Sequence, residues 1–355
     1  LINQAQIIFY SVLELKGIEK PQSVYRFIRL NNINQNKQSI KKLVGRDNEL
    51  NNIINFSKPL FENKFAGTVN IYGEPGMGKS QLALQFIEKI NDSVSLLTME
   101  SDSILKNSLN PVVYFLNKHF DQTNISDYAE KKKNFEKKFF FIINELSKSK
   151  IDYYKNLSDE LIRTKSLIAG LIGIYYENSL YYKLDGQARY ENTLYAVKEL
   201  IKAESAIKPV ILLIEDFHWI DEDTKNFLHI LITNPEKINL LIIATARFND
   251  DGSKPVLFPA GLLRQNHLEL KSFDKNNVNE MIRIQLKAEP NNDLFQFILR
   301  KSEGNPFYIE QICTYLRENN LIRKKEKKIR LIKGKIEIPS SIQSLIISRI
   351  DRLSS

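Results

Sequence analysis

Cysteine is nearly absent from this chain. Of 355 residues only Cys313 carries a thiol, which rules out an intrachain disulfide, gives no support to a cysteine-built metal cluster, and makes a reducing, cytoplasmic setting the best fit. Long apolar runs are also missing. The longest candidate, residues 167–176, is about half of the roughly 20 residues that a bilayer-crossing helix needs, and Lys165 and Glu177 flank it. It reads as a buried helix, and no membrane span is expected. The first residues show no basic patch leading into an apolar stretch and a small-residue cleavage site, so no signal peptide is visible. No internal repeat is apparent, which removes the solenoid reading. Charge is present but not concentrated in one place: the net value is +9 with a pI near 9.2. The basic runs, Lys131 to Lys133 with Lys137 and Lys138, and residues 323–328, are interleaved with Glu. They read as solvated helix faces and a loop rather than a nucleic-acid surface.

What is there suits a globular protein of two or three domains: 43% hydrophobic and 26% charged residues, enough for a sizeable core. The chain opens on Leu1 and closes just after an apolar-periodic stretch (Ile342, Leu345, Ile346, Ile350, Leu353), so it reads as a fragment. Residues 9–15 and 23–30 alternate as two strands around a turn at 16–21, a hairpin without a core of its own. Residues 31–42 are rich in Asn and Gln and have a linker's composition. From residue 43 to 270 the pattern predicts an α/β core. A strand over 68–72 precedes a Gly-rich turn and a helix over 79–90, and two runs apolar on both faces, 209–214 and 240–245, suit central strands of a parallel sheet. The long charged stretch 101–208 reads as helical crossover. Helices follow over 275–286, 293–302 and 306–319, with a break at Gly304, Asn305 and Pro306. The expected domains are the hairpin (1–30), linker (31–42), core (43–270), helical lid (271–322) and the start of a further domain (323–355).

Gly73-Glu74-Pro75-Gly76-Met77-Gly78-Lys79-Ser80 matches G-x-x-x-x-G-K-[ST] in full and lies between the predicted strand and helix. Glycines at 73, 76 and 78 let successive N–H groups converge on a phosphate, aided by the positive end of the following helix, which Gln81 continues. Lys79 would reach the β- and γ-phosphates and Ser80 would coordinate Mg2+, so the expected ligands are ATP or ADP with Mg2+. The run 210–214 ends in Glu215 and Asp216. Glu215 takes the metal-side role and Asp216 the positioning of the attacking water, with the roles exchangeable. Thr245 and Arg247, at the end of the next apolar run, are placed to sense the γ-phosphate. His218 after the two carboxylates reads as structural, and Asp221 reads as a helix N-cap.

These segments together resemble one branch of the AAA-related ATPases. Val44-Gly45-Arg46 with Glu49-Leu50, Glu215-Asp216-Phe217-His218-Trp219-Ile220-Asp221, Thr245-Ala246-Arg247 and Glu303-Gly304-Asn305-Pro306-Phe307 look like the signal-transduction (STAND) ATPases, in particular the modules of bacterial class III nucleotide cyclases and of large LuxR-type regulators. The resemblance implies a P-loop fold with a helical lid and the beginning of a winged-helix domain, Val44, Gly45 and Arg46 near the adenine, and Gly304 and Pro306 closing over the nucleotide. Leu15-Lys16-Gly17 with Pro21 and Val24-Tyr25-Arg26 resembles the end of a class III adenylate or guanylate cyclase domain. The implied protein is a slow ATP hydrolase acting as a switch on an upstream cyclase domain, with helical domains downstream in the same chain. A homo-oligomer is among the open assembly states. The rivals are the ATPase of a LuxR-type transcription regulator and an Orc-like DNA-associated ATPase.

Overall fold

The computed structural model of the chain describes residues 5–13, 22–30, 43–101, 107–123, 125, 127–235, 238–325 and 328–332. The linker expected at 31–42, the turn expected at 16–21 and the part beyond 332 of the expected winged-helix start lie outside the described residues. The first two strands, β1 (Ala5–Leu13) and β2 (Gln22–Leu30), pair antiparallel from Ala5 opposite Leu30 to Leu13 opposite Gln22. The expected hairpin is there, with its first strand beginning four residues before position 9.

The region Leu43–Ser272 forms one compact unit. Its elements in chain order are α1 (Asp47–Phe56), β3 (Gly67–Tyr72), α2 (Lys79–Ile90), β4 (Ser95–Glu100), α3 (Asn110–His119), α4 (Tyr128–Ser147), α5 (Asp152–Leu171), α6 (Leu180–Lys183), α7 (Gly186–Ile207), β5 (Val210–Glu215), α8 (Glu222–Ile232), β6 (Leu240–Ala246) and β7 (Gln265–Glu269). The five strands make one parallel sheet in the order β4-β5-β6-β3-β7. This is the expected α/β architecture with a parallel core flanked by helices.

Alternation within the strands explains why the runs are apolar throughout. Val210, Leu212 and Ile214 of β5 and Leu240, Ile242 and Ala244 of β6 turn to one face, where the cover comes from the helices of 101–208 and α8. Ile211, Leu213, Leu241 and Ile243 turn to the other with Val69 and Ile71, under Leu50 and Ile53 of α1 and Leu82 and Phe86 of α2. Successive side chains of a strand point to opposite faces, so a strand covered on both sides has no polar position to spare. Burial of each Leu or Ile is worth about 1.5–3 kcal/mol, more than strand propensity supplies, so covering both faces decides the fold.

The stretch 101–208 is helical as expected. Asp127 caps α4 by accepting the Glu130 N–H, and Asp185 caps α7 through the Ala188 N–H. Within this unit two strands were not expected, β4 and β7. Strand β7, Gln-Asn-His-Leu-Glu, is at the sheet edge and buries only Leu268, so it carries no apolar alternation to read. No helix among the described residues is long and apolar enough to cross a membrane.

Beyond Ser272 the chain forms α9 (Lys275–Leu286), β8 (Glu289–Pro290), α10 (Asn292–Ser302), α11 (Pro306–Glu318), β9 (Ile322–Lys325) and β10 (Lys328–Leu331). Strands β9 and β10 pair antiparallel, and β10 pairs parallel with β8. Left-handed Glu303 and Gly304 break the chain between α10 and α11, where Asn305 caps and Pro306 opens the next helix. Val278, Ile282, Leu294, Ile298, Ile309 and Ile312 are buried here.

Candidate nucleotide-binding site

Strands β3, β4, β5 and β6 run parallel, so their carboxyl ends lie along one edge of the sheet. In open parallel sheets this edge holds the ligand crevice. Strand β3, buried along its whole length, leads straight into the loop 73–78, and α2 begins at Lys79. Gly76 and Gly78 adopt φ values of 81° and 88°, which side-chain-bearing residues seldom take, and Gly78 is the N-cap of α2. A Cβ on Gly78 would meet nothing within 4 Å, so the glycine serves the backbone turn and leaves open space in front of the amides. That open cradle at a helix N-terminus fits an anionic phosphate.

Lys79 is only 8% exposed. Its Nζ donates to the carbonyl oxygens of Gly73 at 2.8 Å and Glu74 at 3.2 Å. Burial pulls its ammonium below the usual lysine range, while the nearby Asp216 opposes that shift and Arg247 adds to it. An ammonium held on its own loop's carbonyls can exchange them for phosphate oxygens without moving far.

The acidic side comes from β5. The Ser80 hydroxyl donates to Glu215 Oε2 at 3.5 Å, which brings the two expected metal-side groups together. The Glu215 carboxyl is pushed above the usual range by burial first, then by Glu100 and Asp216, against the Ser80 hydrogen bond and Lys118. Asp216 sits in the left-handed region at φ 51°, and its N–H donates to Thr245 Oγ1 at 3.1 Å. Thr245 is buried at the end of β6, next to β3.

Arg247 places its guanidinium over the Trp219 ring at 5.1 Å, and its N–H donates to His218 Nδ1 at 3.5 Å. His218 Nδ1 is 4.0 Å from Asp216 Oδ1, and the His218 and Trp219 ring centres are 4.4 Å apart. Burial pulls the His218 imidazole below the usual histidine range, Asp216 opposes, and Arg247 and Lys79 lower it further. Asp221 is the N-cap of α8, as expected: its carboxylate accepts the Thr224 N–H and hydroxyl and, from the residue before α3, the Leu109 N–H.

Of the expected residues, Lys79, Ser80, Glu215, Asp216, Thr245 and Arg247 thus gather on neighbouring strand ends. Glu74, Pro75, Met77 and Gln81 belong to the same loop and first turn of α2. Val44 is buried, Gly45 is left-handed at φ 59°, and the Arg46 side chain bonds to Glu49 and to the Lys271 carbonyl oxygen. Gly304 and Pro306 belong to the second unit, where the Gly304 carbonyl accepts the Phe273 N–H at 2.8 Å.

The sequence reading missed Glu100. It ends β4, directly opposite Glu215 in register, and accepts the Tyr114 hydroxyl at 2.5 Å. The signal was there in a short form. Residues 95–100, Ser-Leu-Leu-Thr-Met-Glu, repeat the pattern of an apolar run ending in a carboxylate seen at 210–215.

A family model described as AAA ATPase domain matches residues 42–243, more than half of the chain. Among solved structures, the crystal structure of Cdc6p from Pyrobaculum aerophilum is similar to this chain with a TM-score of 0.48 and 12% identity, covering 80% of this chain and 65% of that one. The chain therefore spans less than two thirds of that structure's length. No curated protein matches it.

Proposed function

The chain belongs to the AAA ATPase domain family, and on that premise we propose that it is a MgATP-binding, slowly hydrolysing switch of the signal-transduction (STAND) kind, attached to a nucleotide cyclase. The observation that carries the nucleotide part is the meeting of Lys79 and Ser80, at the start of α2 after β3, with Glu215 and Asp216 at the end of β5, two strands separated in the sheet only by β6. The amides of the glycine loop and the N-terminus of α2 receive the β-phosphate, and Lys79 transfers its N–H bonds from Gly73 and Glu74 to phosphate oxygens.

Among the described residues no group of three or more His, Cys, Asp and Glu could hold a metal ion. The donor set fits a cation shared with phosphate: the Ser80 hydroxyl beside the Glu215 carboxylate. Bound Mg2+ would neutralise charge on the β- and γ-phosphate oxygens. Asp216, its backbone anchored on Thr245, orients the attacking water. Arg247, held over Trp219, supplies a cation in cis for the γ-phosphate. Val44, Gly45 and Arg46 form the adenine-side segment, and Gly304 and Pro306 belong to a lid over 271–322. The switch operates because ATP and ADP favour different arrangements of core and lid.

The cyclase part rests on the resemblance of residues 15–26 to the end of a class III cyclase domain and is supported by the antiparallel pairing of β1 with β2. Calorimetry of MgATP and MgADP with the chain and with Lys79→Ala, with phosphate release followed in parallel, tests the nucleotide part. Lys79→Ala is expected to weaken binding by more than about a hundredfold, roughly the 3 kcal/mol of two charge-assisted contacts. No binding by the folded wild-type chain would reject it. For the cyclase part, the full-length protein should release cyclic nucleotide at a rate that Lys79→Ala changes; no cyclase activity in either form would reject that assignment.

A further inference from the structure

Arg46 is buried to 6% exposure in the first unit. Its Nη2 donates to the Lys271 carbonyl oxygen at 2.6 Å and its Nη1 to Glu49 Oε1 at 3.1 Å. The residue before Lys271 is where the connection to the phosphate loop lies. Leu270 extends the pairing of β7 with β3 by donating its N–H to the carbonyl of Tyr72, the last residue before the loop, at 2.8 Å. A Cβ built on Gly73 would lie 3.0 Å from the Leu270 carbonyl oxygen, 3.3 Å from Leu270 Cβ and 3.5 Å from Met77 Cβ. Leu270 is thus the floor on which the first glycine of the loop rests, and it shares a buried cluster with Met77 and with Leu50 of α1.

We infer that the Arg46 side chain is a positioning group for phosphate binding: it clamps the backbone at Lys271, keeps Leu270 seated under Gly73 and Met77, and so holds the amide cradle in shape, while only the backbone of the 44–46 segment faces the adenine side. This deepens the nucleotide reading above and rests on it. A buried guanidinium donating to a carbonyl makes a charge-assisted bond, the stronger class of hydrogen bond, and its loss removes a side-chain contact that ties the residue leading into α1 to the backbone at Lys271. The backbone segment that it holds contacts the loop directly, so the effect needs no longer route. A guanidinium that recognised adenine would instead act on the base alone. The two roles part on a ligand that has phosphates and no base.

The test is calorimetry with magnesium tripolyphosphate and with MgATP on the wild-type chain, Lys79→Ala, Arg46→Met, Arg46→Lys, Leu270→Ala and the Arg46→Met/Leu270→Ala double variant. Thermal melts identify the variants that fold. Arg46→Met is expected to weaken both ligands by the same factor, about tenfold. Arg46→Lys, which keeps one donor, should recover part of that loss. Leu270→Ala should weaken both ligands too, and the double variant should be no worse than the weaker single, because the two residues act in series. A loss confined to MgATP, with tripolyphosphate binding unchanged, overturns the inference in favour of a base contact. Unchanged binding of both ligands overturns it outright. Should Arg46→Met fail to fold, Leu270→Ala decides: wild-type affinity for tripolyphosphate overturns the inference, and a shared loss supports it. Wild-type chain that binds neither ligand, or Lys79→Ala that binds as tightly as wild type, rejects the phosphate site itself and the inference with it. Wild type that binds while the Arg46 and Leu270 variants also bind normally rejects the inference alone.

Discussion

The two faces of the central sheet are made from alternate residues of the same strands, yet different lengths of chain close them. One face is covered by α1 and α2, which immediately flank β3 in sequence, and its buried cluster includes Met77 of the phosphate loop. The other is covered by the helices of the 101–208 stretch together with α8, and its cluster runs through Phe115, Phe135, Phe139 and Leu161. On the first face the cover and the site are the same elements. On the second, the cover supports the strands whose ends carry Glu215 and Asp216 but contributes little to the loop. Damage of equal thermodynamic size should therefore have unequal functional consequences.

The largest test of that contrast is a matched pair of cavities. Phe86 of α2 and Phe135 of α4 are both fully buried. Each Phe→Ala change is expected to cost about 3–5 kcal/mol in urea unfolding. Phe86→Ala should also weaken MgATP binding at temperatures where the chain stays folded, because it loosens the helix that starts at Lys79. Phe135→Ala should leave that affinity within about twofold, under 0.5 kcal/mol. Equal losses of affinity would erase the distinction between the faces.

A smaller effect sits where the second face reaches the site edge. Asp221→Ala removes the acceptor for the Thr224 N–H and hydroxyl and the Leu109 N–H, and should lower stability by about 1–2 kcal/mol in the same assay. An unchanged midpoint would mean that the cap is replaced by water.

Glu215→Gln should act in the opposite direction. Its carboxyl is raised in the folded chain by burial and by Glu100 and Asp216. An acid whose folded value is raised costs stability when it is ionised in both states, and that cost disappears as pH falls through the folded value to the ordinary carboxylate range. The variant should therefore melt above wild type at neutral pH and converge with it in acid, while losing metal-dependent nucleotide binding. A variant less stable than wild type at neutral pH would show that the Ser80 contact outweighs burial. Such a trade of stability for function is common at sites.

The smallest expected effect is at the exposed end of α4. Lys148 pairs with Glu145 at 2.5 Å but is mostly exposed, and Lys148→Ala should change stability by no more than about 0.5 kcal/mol.

Much of the site could be read from one dimension because its signals are local. The helix expected over 79–90 is α2 to the residue, and the two doubly apolar runs are the neighbouring central strands β5 and β6. The acidic pair sits at the end of β5, and Asp221 caps α8. The missed pieces share a physical cause. Strand β7 is an edge strand with one buried side chain, so periodicity has almost nothing to act on. Glu100 matters only because parallel pairing sets it opposite Glu215, a relation across 115 positions that no local pattern records. The bond from the Arg46 guanidinium to a backbone carbonyl 225 positions away is likewise a relation that its local motif does not record.

The sequence by itself determined the phosphate loop, the acidic strand end and the alternation of strand and helix, because glycine conformational freedom, side-chain chemistry and hydrophobic period act within a few residues of their own position. Only the tertiary structure decided which strands are neighbours, that Glu100 loads the Glu215 carboxyl, and that the chain leaving β7 forms the floor of the loop. Those depend on strand order and on burial shared between distant segments, which are set by closing both faces of the sheet at once and not by any stretch of the chain alone.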